Sequence, residues 1–344
     1  MAKSNKCIIQ VCICGAGTKK AQAPTVPYTA DEIAEQVVAC AKLGASIAHI
    51  HVREDKEVNG KMEIGYKSMS LQKFTEAVEK TRELCKKEGV DIIINLTTSG
   101  GEYEDYKRLQ HLSALEPEMC SFDPNTLNWA NSYIFENSPR MLNKLAKEVV
   151  RCDIKPEFEI FDTGHIDSAL YYVNKHNIPG NPHLQFIMNV GGSMPGTAEN
   201  LAFMVGKLPA NATWSVSGIG KAHMPMMLAG LALGCDGLRV GLEDNIMYGK
   251  DENGNKIIAT NEMLVARAVE LAKLAGREIA TADEAREILG ITRNCLRDET
   301  TKPTTYVDEE LKHPQTIWSR PARAAPFFVC EKRQNSIAVS RRLW

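Results

Sequence analysis

The 344-residue chain contains no apolar run of the roughly 18 residues that a membrane span requires. Its first residues, up to Cys7, also lack the long apolar region and the small-residue cleavage site of a secretory signal peptide. We therefore expect a cytoplasmic protein without a membrane partner.

An excess of charge of either sign is missing as well. Lys and Arg together number 41, Asp and Glu together number 43, and the formal net charge is -2. Proteins that bind nucleic acid through its phosphates usually carry a clear excess of positive charge. The composition therefore gives no electrostatic argument for a nucleic-acid partner.

Neither a disulfide framework nor a dinucleotide-binding motif is present. The 10 cysteines are scattered, and in a reducing compartment we expect them to be small buried hydrophobic residues. Cys12 and Cys14 lie within an apolar run, which predicts that they pack a strand. No G-x-G-x-x-G motif follows the first predicted strand, and this argues against an open, doubly wound sheet.

The chain does contain a regular alternation of strand-like and helix-like segments. Strand-like apolar runs occur at 8–13, 46–52, 91–96, 119–122, 157–161, 184–189, 213–216 and 237–240. Helices are predicted at 29–43, where Thr29 and Glu32 form a capping box, and at 261–275 and 282–289. Alternating units predict a parallel sheet, and eight of them predict a closed (β/α)8 TIM barrel of the α/β class.

A histidine pair ends the second predicted strand. In extended backbone, His49 and His51 point to the same face, so both imidazoles can bind one metal ion. Catalytic zinc usually has three protein ligands, and Glu243, in a charged cluster after the eighth strand, is the best third candidate. The alternative is a pair of interior histidines satisfied by hydrogen bonds, and the pair alone does not decide between the two.

The active site of a TIM barrel lies at the carboxyl ends of its strands. Polar or glycine-rich segments follow most of the predicted strands, at 97–101, 121–125, 159–162, 191–197, 217–220 and 239–245. A single glycine loop is most often a tight turn. The convergence of these segments on one rim predicts a functional site there.

Six of the motifs together resemble a known family. They are Ala48-His-Ile-His-Val-Arg-Glu54, Asn95-Leu-Thr-Thr-Ser-Gly-Gly101, Pro117-Glu-Met119, Pro156-Glu-Phe-Glu159, Gly218-Ile-Gly220 and Arg239-Val-Gly-Leu-Glu-Asp-Asn245. In their order and spacing, from about Cys7 to Gly290, they resemble the beta-keto acid cleavage enzymes. The resemblance implies a zinc-dependent TIM barrel in which a β-keto acid reacts with acetyl-CoA to give acetoacetate and a new acyl-CoA.

The resemblance also implies a role for individual residues. It makes His49, His51 and Glu243 the zinc ligands. It makes Asp244 and Arg239 the catalytic pair, with Glu159 as a further active-site carboxylate, and it assigns the carboxylate end of the substrate to Thr97, Gly100 and Ser121. Zinc would polarise the keto group, so that a carboxylate can remove the neighbouring proton. Sites of this composition also accept cobalt, nickel or iron.

The first βα loop departs from the family pattern. In a family member that acts on an amino-substituted acid this loop reads Thr-Gly-Ala-Glu, and the Glu faces the substrate amine. Here the run is Cys14-Gly15-Ala16-Gly17, so the amine-binding carboxylate is replaced by Gly17. The reaction class can be transferred to this chain, but the identity of the β-keto acid cannot.

Two other functions remain open from the sequence. A CoA-independent zinc hydrolase or lyase on a TIM barrel can also use an H-x-H strand, although hydrolases of this type usually carry the pair on the first strand. A non-catalytic binding protein is suggested only by Gly17. Hydrolysis without CoA would support the first, and failure to bind stoichiometric zinc would support the second.

The composition changes after about residue 297. We predict a catalytic barrel over residues 1–296 and a C-terminal arm over 297–344. The arm is basic, with Arg320 and Arg341 among its cations, but it also contains Trp318, Phe327 and Phe328, which are costly to expose. We therefore expect it to pack on a neighbouring subunit, and we expect a homo-oligomer, with a tetramer favoured.

Overall fold

A computed structural model describes residues 4–292. Its central sheet closes on itself, because the first strand pairs with both the second and the last of eight parallel strands. The barrel strands are β1 (Lys6–Cys12), β2 (Ile47–Ile50), β3 (Ile93–Leu96), β4 (Met119–Phe122), β5 (Lys155–Ile160), β6 (His183–Met188), β7 (Thr213–Gly218) and β8 (Gly237–Val240). The predicted TIM barrel is confirmed.

A helix follows each barrel strand. The helices are α1 (Ala30–Lys42), α2 (Leu71–Glu88), α3 (Asp105–Leu115), α4 (Pro139–Arg151), α5 (Thr163–His176), α6 (Ala198–Val205), α7 (His223–Ala232), α8 (Asn261–Leu274) and an additional α9 (Ala282–Leu289). The predicted capping box begins α1: the Thr29 side chain accepts the Glu32 backbone N–H, and the Glu32 carboxylate accepts the Thr29 N–H.

Three two-stranded hairpins, which were not predicted from the sequence, follow the carboxyl ends of β2, β4 and β8. They are formed by Val52–Val58 with Lys61–Ser68, by Leu127–Trp129 with Tyr133–Phe135, and by Met247–Lys250 with Lys256–Ile258. The first two hairpins contribute residues to the wall of the cavity at this rim, where TIM-barrel sites lie.

The amino-terminal end of the barrel is closed by α9. An apolar cluster joins this helix to residues near the starts of four strands. The strand residues are Ile8, Ile47, Ile93 and Met119, and they pack with Ala280, Ala285 and Leu289. Arg286 of α9 adds ion pairs to Glu118, at 2.6 Å, and to Asp91, at 2.8 Å. The interior is therefore reached from the carboxyl end.

No helix within residues 4–292 is long and apolar enough to cross a membrane. The eight cysteines in this part of the chain are buried, including Cys12 and Cys14, as predicted. The predicted C-terminal arm, residues 297–344, and its boundary with the barrel lie outside the described residues.

Candidate active site

Two histidines and a glutamate converge at the carboxyl end of the barrel. His49 lies in β2, His51 follows that strand, and Glu243 lies in the turn after β8. His51 Nε2 is 3.5 Å from Glu243 Oε1, and His49 Nε2 is 3.8 Å from Glu243 Oε2. One ligand atom from each of the three residues lies within 4.8 Å of the others, close enough for one metal ion.

Two glycines allow Glu243 to reach the histidines. Gly15, in the loop after β1, has a φ of +56°, and a Cβ at this position would lie 2.5 Å from Glu243 Cγ. Gly241 has a φ of +141°, and a Cβ there would lie 2.2 Å from the carbonyl oxygen of Cys12. The close packing around Glu243 therefore depends on the missing side chains of both residues.

The three residues fit a metal ion chemically as well as geometrically. Glu243 Oε2 is buried and has no hydrogen-bond partner within residues 4–292. Burial lowers the pKa of His49 to about 4, so its imidazole is neutral near pH 7 and keeps a lone pair for coordination. Two imidazoles and a carboxylate form a donor set that zinc accepts. His49, His51 and Glu243 are thus a possible metal site.

Arg239 connects this cluster to two further carboxylates. The side chain lies in β8 and is only 2% exposed. Its Nη2 donates to Glu243 Oε1 at 2.9 Å, its Nη1 donates to Glu159 Oε1 at 2.5 Å, and its Nε donates to Asp244 Oδ2 at 3.0 Å. A buried arginine that binds three carboxylates fixes their positions relative to one another. The structure thus brings together the predicted metal ligands and the predicted catalytic residues.

Asp244 is the carboxylate best placed to exchange a proton. It follows Glu243 directly, lines the cavity, and accepts a hydrogen bond from Ser217 Oγ at 2.8 Å. Burial raises the pKa of Asp244, although Arg239 opposes the shift. A carboxylate with a raised pKa is a stronger base than a solvent-exposed aspartate.

A second carboxyl group on β5, that of Glu157, was not predicted from the sequence. Glu157 lies two residues before Glu159 and is fully buried inside the barrel. Gln10 Nε2 donates to both of its oxygens at 3.0 Å, and Asn95 Nδ2 also donates to it. Burial raises the pKa of Glu157 to about 8. The alternation of Pro156-Glu-Phe-Glu159 was the signal for it, because residues i and i+2 of a strand share a face.

The three residues predicted to bind the substrate carboxylate differ in their access to the cavity. Gly100 lines it. Thr97 and Ser121 are fully buried, and their hydroxyl oxygens accept the backbone N–H groups of Ser99 and Thr98, both at 3.0 Å. Ser99 and Asp123, for which no individual role was predicted, line the cavity instead.

The cavity has a volume of about 960 Å³ and is lined by both apolar and polar residues. The apolar residues include Trp129, Tyr133, Ile134, Phe135, Ile187, Val190, Ile219 and Ile246. The residues from the first loop and the first hairpin include Gly17, Thr18, Lys19, Gln22, Arg53, Glu63, Tyr66 and Lys67. A Cβ at Gly17 would meet no atom within 4 Å, so the departure from the family pattern leaves open space beside this residue.

Comparison with known proteins gives concordant results for sequence and fold. A family model described as beta-keto acid cleavage enzyme matches residues 6–291. The 3-keto-5-aminohexanoate cleavage enzyme of Fusobacterium nucleatum is 37% identical over 289 residues, which cover 84% of this chain and 99% of that protein. The 3-oxoadipate:acetyl-CoA acetyltransferase of Cupriavidus necator is 33% identical, and the match covers 83% of this chain and 95% of that protein.

A solved structure supports the same fold. ObcA, in a ternary complex with a C4-CoA adduct and oxalate, superposes with a TM-score of 0.68 at 20% identity, and the match covers 78% of this chain and 68% of ObcA. At this identity the likeness concerns the barrel and not its ligands. The family match spans every barrel strand and each residue of the site described above, and the chain therefore belongs to the beta-keto acid cleavage enzyme family.

Proposed function

We propose that this chain is a zinc-dependent enzyme that condenses a β-keto acid with acetyl-CoA and cleaves the adduct to acetoacetate and a new acyl-CoA. The observation that carries the proposal is the position of Asp244. It directly follows Glu243, and Arg239 holds both carboxylates at the cavity. A base thus stands beside the cluster that can hold a metal ion. The relative from Cupriavidus necator, named as an acetyl-CoA acetyltransferase, supports the same reaction class.

His49, His51 and Glu243 would hold the zinc ion. When bound, zinc supplies Lewis acidity, which withdraws electrons from the keto group of the acid and makes the adjacent C–H more acidic. The residues around it provide the remaining chemistry.

Asp244 takes a proton from the carbon between the keto and carboxylate groups of the acid. The resulting carbanion attacks the carbonyl carbon of acetyl-CoA, and the CoA thiolate leaves. The thiolate attacks the former keto carbon, the bond from that carbon to the carbanion carbon breaks, and the new acyl-CoA forms. The electron pair of the broken bond stays on acetoacetate, which takes the proton back from Asp244. No external acid or base is consumed.

Arg239 positions this base and stabilises the negative charge that develops beside it. Two of its nitrogens bind Asp244, and the third, Nη1, binds Glu159, which keeps the guanidinium in place. For the substrate carboxylate we propose the wall at Gly100, with Thr97 and Ser121 behind it. We also propose a homo-oligomer, with a tetramer favoured, because the C-terminal segment contains apolar residues that are costly to expose. We further propose that the protein is cytoplasmic.

The first test is acetoacetate formation from acetyl-CoA by zinc-loaded protein with β-keto acids whose tails are neutral, cationic or anionic. We expect turnover with at least one acid, and we expect it to disappear in Asp244→Asn and in His49→Ala. Asp251→Asn, the same substitution at an exposed hairpin residue, should retain it. Metal binding without turnover of any acid would refute the proposal and favour a CoA-independent hydrolase or lyase.

A further inference from the structure

The side chain of Asn245 joins the turn after β8 to the end of β7. The cavity is lined by its two neighbours in sequence, Asp244 and Ile246, whereas the side chain of Asn245 is 5% exposed and faces β7. Its Nδ2 donates to the carbonyl of Gly218, the last residue of β7, at 2.9 Å. Its Oδ1 accepts the N–H of Gly220 at 2.7 Å. One buried amide thus connects two segments at the rim of the barrel.

A third contact of this amide determines the protonation of a histidine. Asn245 Nδ2 also lies 2.9 Å from Nδ1 of His223, the first residue of α7. The two backbone contacts fix which end of the amide is the nitrogen, because a carbonyl can only accept and an N–H can only donate. His223 Nδ1 must then be the acceptor, in a neutral ring whose proton is on Nε2. Burial lowers the pKa of His223 to about 4, which agrees with a neutral ring near pH 7.

A hydrogen bond from the same end of β7 reaches the Asp244 carboxylate. Ser217, which precedes Gly218, donates through Oγ to Asp244 Oδ2 at 2.8 Å. Arg239 binds this carboxylate from β8, close to it in sequence. The Ser217 contact joins two different segments, so it holds only while the end of β7 and the turn after β8 keep their relative positions. The contacts of Asn245 fix these positions.

We propose that Asn245 is a positioning residue for the reaction: by holding the end of β7 against the turn after β8, it keeps the Asp244 carboxylate in the orientation that proton transfer requires. His223 supports this role by accepting an N–H of the Asn245 amide. The inference rests on the proposed function, which makes Asp244 the base. A base transfers a proton efficiently only within hydrogen-bond reach of its target, so a small displacement of Asp244 is enough to slow the reaction.

The first experiment is the steady-state kinetics of zinc-loaded Asn245→Ala. We expect kcat to fall by about tenfold or more, because the base is displaced. KM for both substrates and the zinc content should stay within about a factor of two of the wild type, since Asn245 does not line the cavity. Asn211→Ala, at an exposed asparagine, is the matched control and should retain the wild-type kcat. An unchanged kcat in Asn245→Ala, or a loss of zinc that accounts for the fall, would overturn the proposal.

Two substitutions of His223 test the proposal with Asn245 left in place, in case Asn245→Ala does not fold. His223→Leu removes the acceptor for the Asn245 amide and should lower kcat without changing KM. His223→Asn, whose amide oxygen can take the place of Nδ1, should restore kcat towards the wild-type value. Circular dichroism reports whether each variant is folded. Equal kcat values in the wild type and His223→Leu would overturn the proposal.

Nitrogen-15 NMR of the histidine rings tests the contact without any substrate. In the wild type, His223 Nδ1 should have the chemical shift of an unprotonated nitrogen and Nε2 that of a protonated one. Asn245→Asp replaces the donating nitrogen with an oxygen that can only accept, so a proton should appear on Nδ1. Asn211→Asp should leave the wild-type pattern, and His223→Asn identifies the signals because it removes them.

The NMR result also separates this inference from the proposed function. A wild-type ring with its proton on Nδ1 would overturn the inference, because Asn245 would then have no acceptor there. The expected ring signals in a wild type that turns over no β-keto acid would instead count against the proposed function.

Discussion

Arg239 binds both carboxylate oxygens of Asp244, through Nε to Oδ2 at 3.0 Å and through Nη2 to Oδ1 at 3.1 Å. This two-point contact fixes the plane of the carboxylate as well as its position. A lysine carries the same charge, but it cannot make this two-point contact and also reach Glu159 and Glu243.

We therefore expect Arg239→Lys to lower kcat by about 100-fold, a loss typical of a charge-stabilising group in an active site. Steady-state kinetics on fully zinc-loaded protein measure the effect. The control is Arg140→Lys, the same substitution at an exposed arginine on α4. A kcat within a factor of about two of the wild type would show that the two-point contact between Arg239 and Asp244 is not needed for catalysis.

Gly15→Ala should weaken metal binding without unfolding the barrel. The new Cβ would collide with Glu243 Cγ, and a φ of +56° costs a residue with a side chain about 1 kcal/mol or more. The zinc content after dialysis reports the loss, and circular dichroism reports whether the fold is kept. Gly17→Ala, two residues away in open space, is the matched control and should retain stoichiometric zinc. Equal zinc content in both variants would show that Gly15 is not needed to place Glu243.

Glu157 should make the protein less stable as the pH rises. The folded state raises its pKa to about 8, whereas the unfolded chain has an ordinary value of about 4.3. Between these values the folded protein binds the additional proton, so the free energy of unfolding falls with pH and levels off above about 8.

In the wild type this decrease in the free energy of unfolding is on the order of a few kcal/mol. Glu157→Gln should remove the decrease and should be more stable than the wild type at alkaline pH. Denaturant unfolding of wild type and variant across this pH range measures the difference. Glu83→Gln, on the exposed face of α2, should keep the wild-type dependence. Parallel curves for wild type and Glu157→Gln would mean that Glu157 is ionised in the fold.

Removal of the chain after Gly290 should lower the number of subunits per oligomer. It should leave every described helix and barrel strand in place. The reason is the apolar content of the C-terminal segment, which includes Trp318 and Phe327. Sedimentation velocity of the full chain and the truncated chain compares the two. An unchanged profile would show that assembly does not depend on this segment.

The barrel could be predicted because each of its strands is a short apolar run that the sequence marks off with polar segments. The predicted strands 119–122 and 237–240 have the observed limits of β4 and β8, since each is a short apolar run between polar segments. The Val52–Val58 hairpin was missed because its residues are charged and partly exposed. Its turn did carry a signal: Asn59 and Gly60 have φ values of 51° and 76°, and Asn-Gly is typical of tight hairpin turns.

The metal cluster could be predicted because the spacing of His49 and His51 fixes their common direction in a strand. Glu157 was within reach of the same argument, as it shares a face of β5 with Glu159. Asp123 was not. Its place in the cavity wall depends on how the segment after β4 is folded, and no sequence spacing records that.

The closure of the amino-terminal end by α9 also constrains the kinetics. With that end covered by α9 in residues 4–292, we expect both substrates to enter and both products to leave at the rim formed by the carboxyl ends of the strands. A β-keto acid that reacts beside Asp244 should then bind before the bulkier thioester, and the acyl-CoA should leave before acetoacetate. The order of binding and release would follow from the closed end of the barrel.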